Sequence, residues 1–598
     1  MSKSLLPFFL VIFCLSTVFS QNTPDAVKRK IAPDVQSALK QENKVNILVI
    51  FREQADLHNA NQIHGKAAKA RFVFDRLQQT AATSQANALR IARASNAYVN
   101  SFYLVNALAI RHANAGLVEN LAQLPEVARI AADPEIPFEQ PDVSLAPVAQ
   151  RGAVEWGIEK INAPAVWALG YTGQGITVAG ADTGYDWVHP AIQPHYRGYN
   201  KSDGSTNHNY NWHDAIHEIS PLSNDSIPDP SNNPCGVNSV VPCDDNNHGT
   251  HTMGTMVGDD GNGNQIGVAP GADWIACRNM ERGNGAPSSY IECFEWFLAP
   301  TDLNGENPDV LKAPHVINNS WYCSVSEGCT DLSVNELMHT AVNNLRASGV
   351  VVVVSNGNKG GLGCNATNDP PAYFEESFSV GATESNDTIT GFSTRGSVQI
   401  DGSGRMKPNV VAPGAGIRSS IRNGGYAHFW GTSMAGPHVA GVVALVISAR
   451  PDLAGEVDLI EDIIEQTAVP GYDTVNCGNV SGMAHPNNTY GYGRVDALGA
   501  VMKALMLTPV TSPGASPVDV TVWPNPVLDE AIFSIKNYTG KFTVQLFNAA
   551  GQLVYSVNRE TANPDAVFQI PMQNQAPGVY FWKITTAGPL RSGKFVKR

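Results

Sequence analysis

The chain has 598 residues, more than a single hydrophobic core usually holds, so two to four domains are expected. Its composition, 43% hydrophobic with 53 glycines and 38 prolines, is that of an ordinary globular protein. A net charge of -14 lacks the basic face that nucleic acid demands, so no nucleic-acid role is assigned.

The first twenty residues, MSKSLLPFFLVIFCLSTVFS, place Lys3 before an apolar stretch too short for a comfortable membrane span, with Val18 and Ser20 ahead of a polar run. This pattern predicts a secretory signal peptide at 1–20. Bulky Phe13 before Cys14 speaks against a lipoprotein cleavage site. Without Cys14, cysteines remain at 235, 243, 277, 293, 323, 329, 364 and 477, an even number that favours disulfides in an exported chain. Spacing singles out the close pairs Cys235 with Cys243 and Cys323 with Cys329. No other stretch is long and apolar enough to span a bilayer.

Residues 44–51, KVNILVIF, read as a strand and 62–95 as one long helix. SFYLVNALAI reads as a second strand, GLVENLAQL as a short helix and EVARIAAD as a third strand, together a small α+β unit. After Pro141 the composition loosens, and GQGITVAGADTG opens a pattern of buried apolar strands alternating with helices, which predicts a parallel α/β sheet. Residues 199–247, rich in Asn, Asp, Ser and Pro, read as a long surface excursion. Residues 508–517 have linker composition, and the alternating runs KFTVQLFNAAGQLVYSV and GVYFWKI make 518–598 a small β domain.

From Met434 to Ile447 only Pro437 and His438 interrupt the apolar residues, so this helix is expected in a core, with Pro437 in its first turn and Ser433 at or near its cap. Taken alone, Ser433 reads as an N-cap serine. Three strand-like runs end at polar groups, ITVAGAD at Asp182, HVINNS at Ser320 and VVVVSNGN at Asn358, and in an open parallel sheet such ends share one rim. His248 stands in NNHGTHTMGTMVG. Asp, His and Ser are the orienting carboxylate, general base and nucleophile of a serine hydrolase, and Asn358 supplies a donor for the oxyanion. The order Asp, His, Ser differs from those of chymotrypsin and the α/β-hydrolases. His248 and His251 also form H-x-x-H, a zinc pattern, but Gly249 stands where a catalytic zinc helix needs Glu.

The segments ADTGYDWVHP, HGTHTMGT, SNGN and GTSMAGPHVAG, with RMKPNVVAPGAGIRSS before the last, resemble the active-site motifs of the subtilisin family in order, across roughly 150 to 507. YRGYN with YNWHDAI resembles bacillopeptidase F-type members. The resemblance implies a secreted serine endopeptidase acting on proteins or peptides. By that resemblance Asp182 orients, His248 is base and then acid, Ser433 is the nucleophile, and Asn358 with the Ser433 backbone N–H forms the oxyanion hole. The class-level alternative is a catalytically idle adhesion or binding protein on the same scaffold. Ser320, in NNSWYCS, resembles the family's substrate-pairing strand, with Cys323 a departure from it. The residue after the oxyanion Asn lies at the rim of the family's main specificity pocket and is often acidic; here it is Lys359, which implies a preference for acidic side chains before the cut. His438 is implied to be packed and chemically idle.

No cofactor is implied for the chemistry. Structural calcium is a family feature, but HPAI puts Ala191 where members often carry a liganding Asp, and the Asp-rich stretch 225–245 reads as a solvated loop or a calcium site. Residues 21–145 resemble the family's inhibitory propeptide and 146–507 its peptidase domain. WPNP, GVYFWKI and GKFVKR resemble a type IX secretion sorting domain, implying secretion machinery as a partner and an extracellular or outer-surface location. The expected fold is thus α/β, a subtilisin-like parallel sheet with helices on both faces, between an α+β propeptide and a β-sandwich.

Overall fold

The computed structural model describes residues 24–137, 141–146, 153–223, 233–323, 331–507, 519–536, 538–548, 552–563, 565–586 and 591–598. The expected signal peptide and linker lie outside them, as does Cys329.

The N-terminal unit begins with two helices that the sequence pattern does not predict, α1 (Pro24–Lys30) and α2 (Pro33–Glu42). Strand β1 (Val45–Phe51) follows, and its two faces serve two cores. Ile47, Val49 and Phe51 pack among the unit's own helices, while Leu48 and Ile50 face a cluster that includes Phe294 and Phe297 of the following unit. Two-sided burial explains why this strand is a continuous apolar run instead of an alternating one. The single helix expected over 62–95 is two, α3 (Lys66–Ser84) and α4 (Ala86–Ala94). The break falls at Gln85, whose buried amide donates to the Phe102 carbonyl and to Asn106 Oδ1. SFYLVNALAI is likewise not one strand but a hairpin, β2 (Tyr98–Phe102) and β3 (Ala107–Ala113), turned at Asn106 with φ 40. After α5 (Ala115–Ala122) and β4 (Val127–Ala132) the sheet order is β2-β3-β1-β4. Two further strands, β5 (Ile136–Pro137) and β6 (Asp142–Ala146), leave this unit and pair with the next.

The central unit is built on seven parallel strands: β7 (Thr177–Asp182), β8 (Trp212–Asp214), β9 (Asp273–Arg278), β11 (Val316–Asn319), β12 (Val351–Ser355), β13 (Phe378–Thr383) and β14 (Val410–Pro413). The short β10 (Asn284–Gly285) stands outside that sheet. The order is β14-β13-β12-β11-β7-β9-β8, so β12, β11 and β7 are adjacent. One side carries α6 (His248–Val257) and α9 (Thr432–Ala449); the other carries α7 (Pro287–Leu298) and α8 (Leu332–Ala347). The antiparallel pair β15 (Ile417–Ile421) and β16 (Gly425–Trp430) leads into α9.

Residues 199–247 are only partly the surface excursion expected. Within them β8 extends the sheet edge, Trp212 is fully buried, and Asp214 and Asp245 both pair with the buried Arg278. Burial of one tryptophan and one guanidinium holds the segment to the core. Cys235–Cys243 is a disulfide, as spacing suggests; Cys277–Cys293 and Cys364–Cys477 are two more that spacing does not suggest. Cys323 is also disulfide-bonded.

The C-terminal unit places a three-stranded and a four-stranded antiparallel sheet around Phe533, Phe568, Trp582 and Phe595. Alternating inward residues of both sheets make its core, the expected sandwich.

Candidate active site

Asp182 is the last residue of β7 and is 1% exposed. His248 is the first residue of α6, and its Nδ1 lies 2.8 Å and 3.0 Å from the two Asp182 carboxylate oxygens. The Thr183 N–H also donates to Asp182 Oδ1 at 2.7 Å. A carboxylate held in this way keeps the imidazole proton on Nδ1 and makes Nε2 the basic nitrogen.

Thr183, Asp244, Gly249 and Thr250, to which the sequence pattern assigns no part in the site, hold this pair. Thr183 Oγ1 donates to Asp244 Oδ1 and accepts from the Gly249 N–H. The other Asp244 oxygen accepts from Thr250 N and Thr250 Oγ1 at 3.1 Å and 2.6 Å. Asp244 thus ties the start of α6 to the end of β7. An acidic residue just ahead of a predicted helix is the signal that could have found it. Gly249 must be glycine here, because a Cβ would stand 2.1 Å from the Gly184 carbonyl oxygen. The same contact excludes the glutamate of a zinc helix. His251 is directed elsewhere: its Nε2 lies 2.9 Å and 3.1 Å from the Ile417 and Ala427 carbonyls, its ring stacks on Phe429, and burial pulls its pKa down to about 3.

Ser433 is the second residue of α9 and makes no capping bond; Gly431 holds the cap position. Pro437, expected in the first turn, stands inside the helix. Lacking an N–H, it cannot serve the carbonyl four residues back, which is that of Ser433. Ser320 Oγ donates to that carbonyl instead at 3.0 Å, and Ser433 Oγ points back to the Ser320 carbonyl at 3.3 Å.

Asn358 follows β12, and its Oδ1 accepts from Thr432 N and Thr432 Oγ1 at 2.9 Å and 3.0 Å, bonds that do not use Nδ2. The point where a Gly431 Cβ would stand is 3.6 Å from both Asn358 Nδ2 and Ser433 N, so the two nitrogens lie close to one small volume. The expected rim is present, since Asp182, Ser320 and Asn358 follow adjacent strands β7, β11 and β12. Lys359 Nζ is not a free charge; it lies 2.7 Å from Asp369 Oδ2 and 5.0 Å from the centroid of the Tyr322 ring. His438 is fully buried, its Nδ1 donates to the Met434 carbonyl at 2.8 Å, and burial pulls its pKa down to about 4, so it stays neutral.

Among the described residues no cluster of three or more His, Cys, Asp or Glu is placed to hold a metal ion. Ala191 is fully buried against Tyr426, and the guanidinium of Arg418 lies over that ring at 4.2 Å while bonding Glu155 and Asn264.

The N-terminal unit covers the far side of the sheet and approaches the cleft. Glu295 of α7 accepts from the Tyr103 and Leu104 N–H groups at 2.6 Å and 2.7 Å, Asp133 accepts from Ser288 at the start of α7, and Arg129 pairs with Asp331. β5 pairs antiparallel with β10, and residues 142–146 pair antiparallel with 426–430, two positions before Thr432.

A parallel α/β sheet with a buried Asp–His pair, a serine at a helix entrance and two neighbouring N–H donors is the arrangement of a hydrolase of the serine type. The Subtilase family model matches residues 173–493, and the chain belongs to this family of subtilisin-like serine endopeptidases. Residues 521–598 match the Secretion system C-terminal sorting domain, marking a secreted or cell-surface protein. The chain is 36% identical over 510 residues to Bacillopeptidase F of Bacillus subtilis (strain 168), covering 80% of this chain and 32% of that protein. It is 30% identical over 349 residues to Subtilisin E of the same strain, covering 57% and 72%. M-protease of Shouchella clausii (strain KSM-K16) is 31% identical over 328 residues, covering 54% and 67%.

Proposed function

We propose that this chain is an active peptidase that hydrolyses proteins through Asp182, His248 and Ser433 with an acyl-enzyme intermediate. Ser433 Oγ attacks the scissile carbonyl as His248 takes its proton, and the oxyanion forms beside Asn358 Nδ2 and Ser433 N. His248 then gives the proton to the leaving amine and accepts one from water in the second step. The entrance of α9 adds a positive dipole end and free N–H groups to that spot. The observation that carries this reading is the buried Asp182–His248 pair, with Asn358 Nδ2 and Ser433 N both 3.6 Å from one point beside a serine whose helix is anchored to the residue after β11. The test is labelling of the purified mature protein with a fluorophosphonate probe: the wild-type chain should be labelled at Ser433 and Ser433→Ala should not. An unlabelled wild-type chain would favour the idle scaffold.

We further propose that the N-terminal unit, residues 21–145, is an inhibitory propeptide of the peptidase domain 146–507, cut by the enzyme itself. Its strands β5 and β6 pair with β10 and β16, and β16 runs directly into the turn before Ser433, which supports a chain that reaches the cleft. The C-terminal unit, 518–598, acts as the address for the secretion machinery. Calcium has no step in the chemistry. The Ser433→Ala chain should keep its N-terminal unit in a host lacking other proteases; normal removal there would refute self-processing.

A further inference from the structure

Helix α3 of the N-terminal unit has 19 residues, but its start is ill suited to stand alone. The cap position is Gly65, which has no side chain to accept from the free N–H groups, and the first turn holds no acidic residue. Lys66 and Lys69 instead put two positive charges at the positive end of the helix dipole. The missing acceptors come from the central unit. Glu456 Oε1 accepts from the Gly65 N–H at 3.2 Å, and the Ala454 carbonyl accepts from the Lys66 N–H at 3.1 Å. Glu456 Oε2 lies 3.4 Å from Lys69 Nζ, which also donates to the Gly455 carbonyl at 2.7 Å, and His64 Nδ1 lies 3.4 Å from Glu456 Oε1. The Glu456 and Lys69 side chains are 14% and 10% exposed, so salt and water screen this contact little. Gly455 permits the close approach, since a Cβ there would stand 2.7 Å from the Lys66 nitrogen. Glu456 is itself the cap residue of a helix, α10 (Val457–Thr467), yet its side chain makes no capping bond to that helix. Two helix starts thus meet at one carboxylate, and it serves the one that belongs to the other unit.

We propose that Glu456 is a docking residue for the N-terminal unit, a recognition point separate from strands β5 and β6, and that the partner it selects is a helix start with lysines and no acid of its own. Its consequence for activity rests on the propeptide reading above: cutting the chain at the cleft does not by itself free the enzyme, because α3 stays docked on Glu456. Release takes the acceptors from the first turn of α3 and the partner from Lys69. The released turn then frays, since its own sequence supplies no acid to its N–H groups or its lysines. In the freed enzyme the Glu456 carboxylate is returned to the start of α10, so docking and capping compete for one side chain.

The test has two arms. In the full-length Ser433→Ala chain, which needs no cleavage, hydrogen exchange is followed at the amides of residues 65–69 and, as a reference, at those of β3. Adding Glu456→Ala should speed exchange at 65–69 by about tenfold or more and leave β3 unchanged. In the chain with Ser433 intact, the self-cut complex is diluted, and release of the N-terminal unit is read from the rise in peptide hydrolysis and from loss of the fragment on gel filtration. Glu456→Ala and Lys69→Met should each speed release by about tenfold or more, the loss of a charge-assisted contact, and together they should gain less than the product of the two. The freed mature Glu456→Ala enzyme should cleave peptide at the wild-type rate. Exchange at 65–69 within about twofold of the unmodified chain would overturn the proposal. If Glu456→Ala does not fold, Lys69→Met decides by the same measurement. Fast exchange at 65–69 in a chain that is as active before cleavage and dilution as after them would instead uphold the docking and overturn the propeptide reading.

Discussion

Ser320 and Ser433 exchange hydrogen bonds across 113 positions of sequence, each hydroxyl directed at the other's carbonyl at 3.0 Å and 3.3 Å. The exchange exists because Pro437 has no N–H to give. Ser320→Ala should leave the buried Ser433 carbonyl unsatisfied and cost about 1–3 kcal/mol of stability. Pro437→Ala restores a helical donor, so the double variant should lose less than the two single effects combined. A double-mutant cycle by denaturant unfolding measures this coupling, and strict additivity would show that the exchange carries no energy.

Asn358→Ala should lower kcat by about 10²- to 10³-fold, the loss known for an oxyanion donor of subtilisin itself, with KM little changed. Ser433→Ala should abolish hydrolysis. Steady-state kinetics on one peptide separates these outcomes, and near wild-type rates in Ser433→Ala would end the proposed mechanism.

Inhibition by the N-terminal unit should weaken as pH rises. Burial pushes Glu295 up to about 8 and Glu135 up to about 7 while the units are together. Release returns both toward the ordinary carboxylate value, so the complex holds more protons than its separated parts. Binding is therefore strongest in acid and is lost as pH climbs through the two raised values. Lys66, pulled down to about 7 by burial, releases a proton on binding above that pH, which opposes part of the fall produced by the two carboxyl groups. The inhibition constant of added residues 24–137 should rise about tenfold or more between about pH 5.5 and about pH 8, and Glu295→Gln should reduce that slope. An inhibition constant independent of pH would contradict the assignment.

Arg418 is 1% exposed, bonds Glu155 at 2.9 Å and Asn264 at 3.0 Å, and stacks on Tyr426. Arg418→Met should strand the buried Glu155 carboxylate and cost about 3–5 kcal/mol, visible as a large fall in Tm. Glu155→Gln in the same chain should recover part of it. A Tm unchanged in Arg418→Met would mean that the pair contributes nothing net.

Truncation after Leu507 should leave an active peptidase that fails to cross the outer membrane. The last helix of the central unit ends at Met506, and the sandwich has its own core of Phe533, Phe568, Trp582 and Phe595. Activity and location of the truncated chain are followed together. Normal export would defeat the sorting role, and loss of folding would defeat independence of the two units.

Asp182, His248, Asn358 and Ser433 are legible as candidates in the amino-acid sequence alone, because the four segments around them resemble the subtilisin family's active-site motifs in order. Three strand-like runs, ending at Asp182, Ser320 and Asn358, specify which residues reach one rim, since strand ends in a parallel sheet share a side. What the sequence does not determine is what those residues touch. Local pattern puts Pro437 in a first turn, and only packing of α9 against β11 shows it inside the helix with its missing bond supplied by Ser320. The same holds for 62–95 and 101–110, where the buried amide of Gln85 and the turn at Asn106 override propensity to break one helix and fold one strand back. Lys359 reads as a lone positive charge in the chain and becomes half of an ion pair only when residues ten positions apart are brought to 2.7 Å. Period and composition record which face of an element is buried; the identity of the partner is a property of tertiary distance, which no local pattern contains.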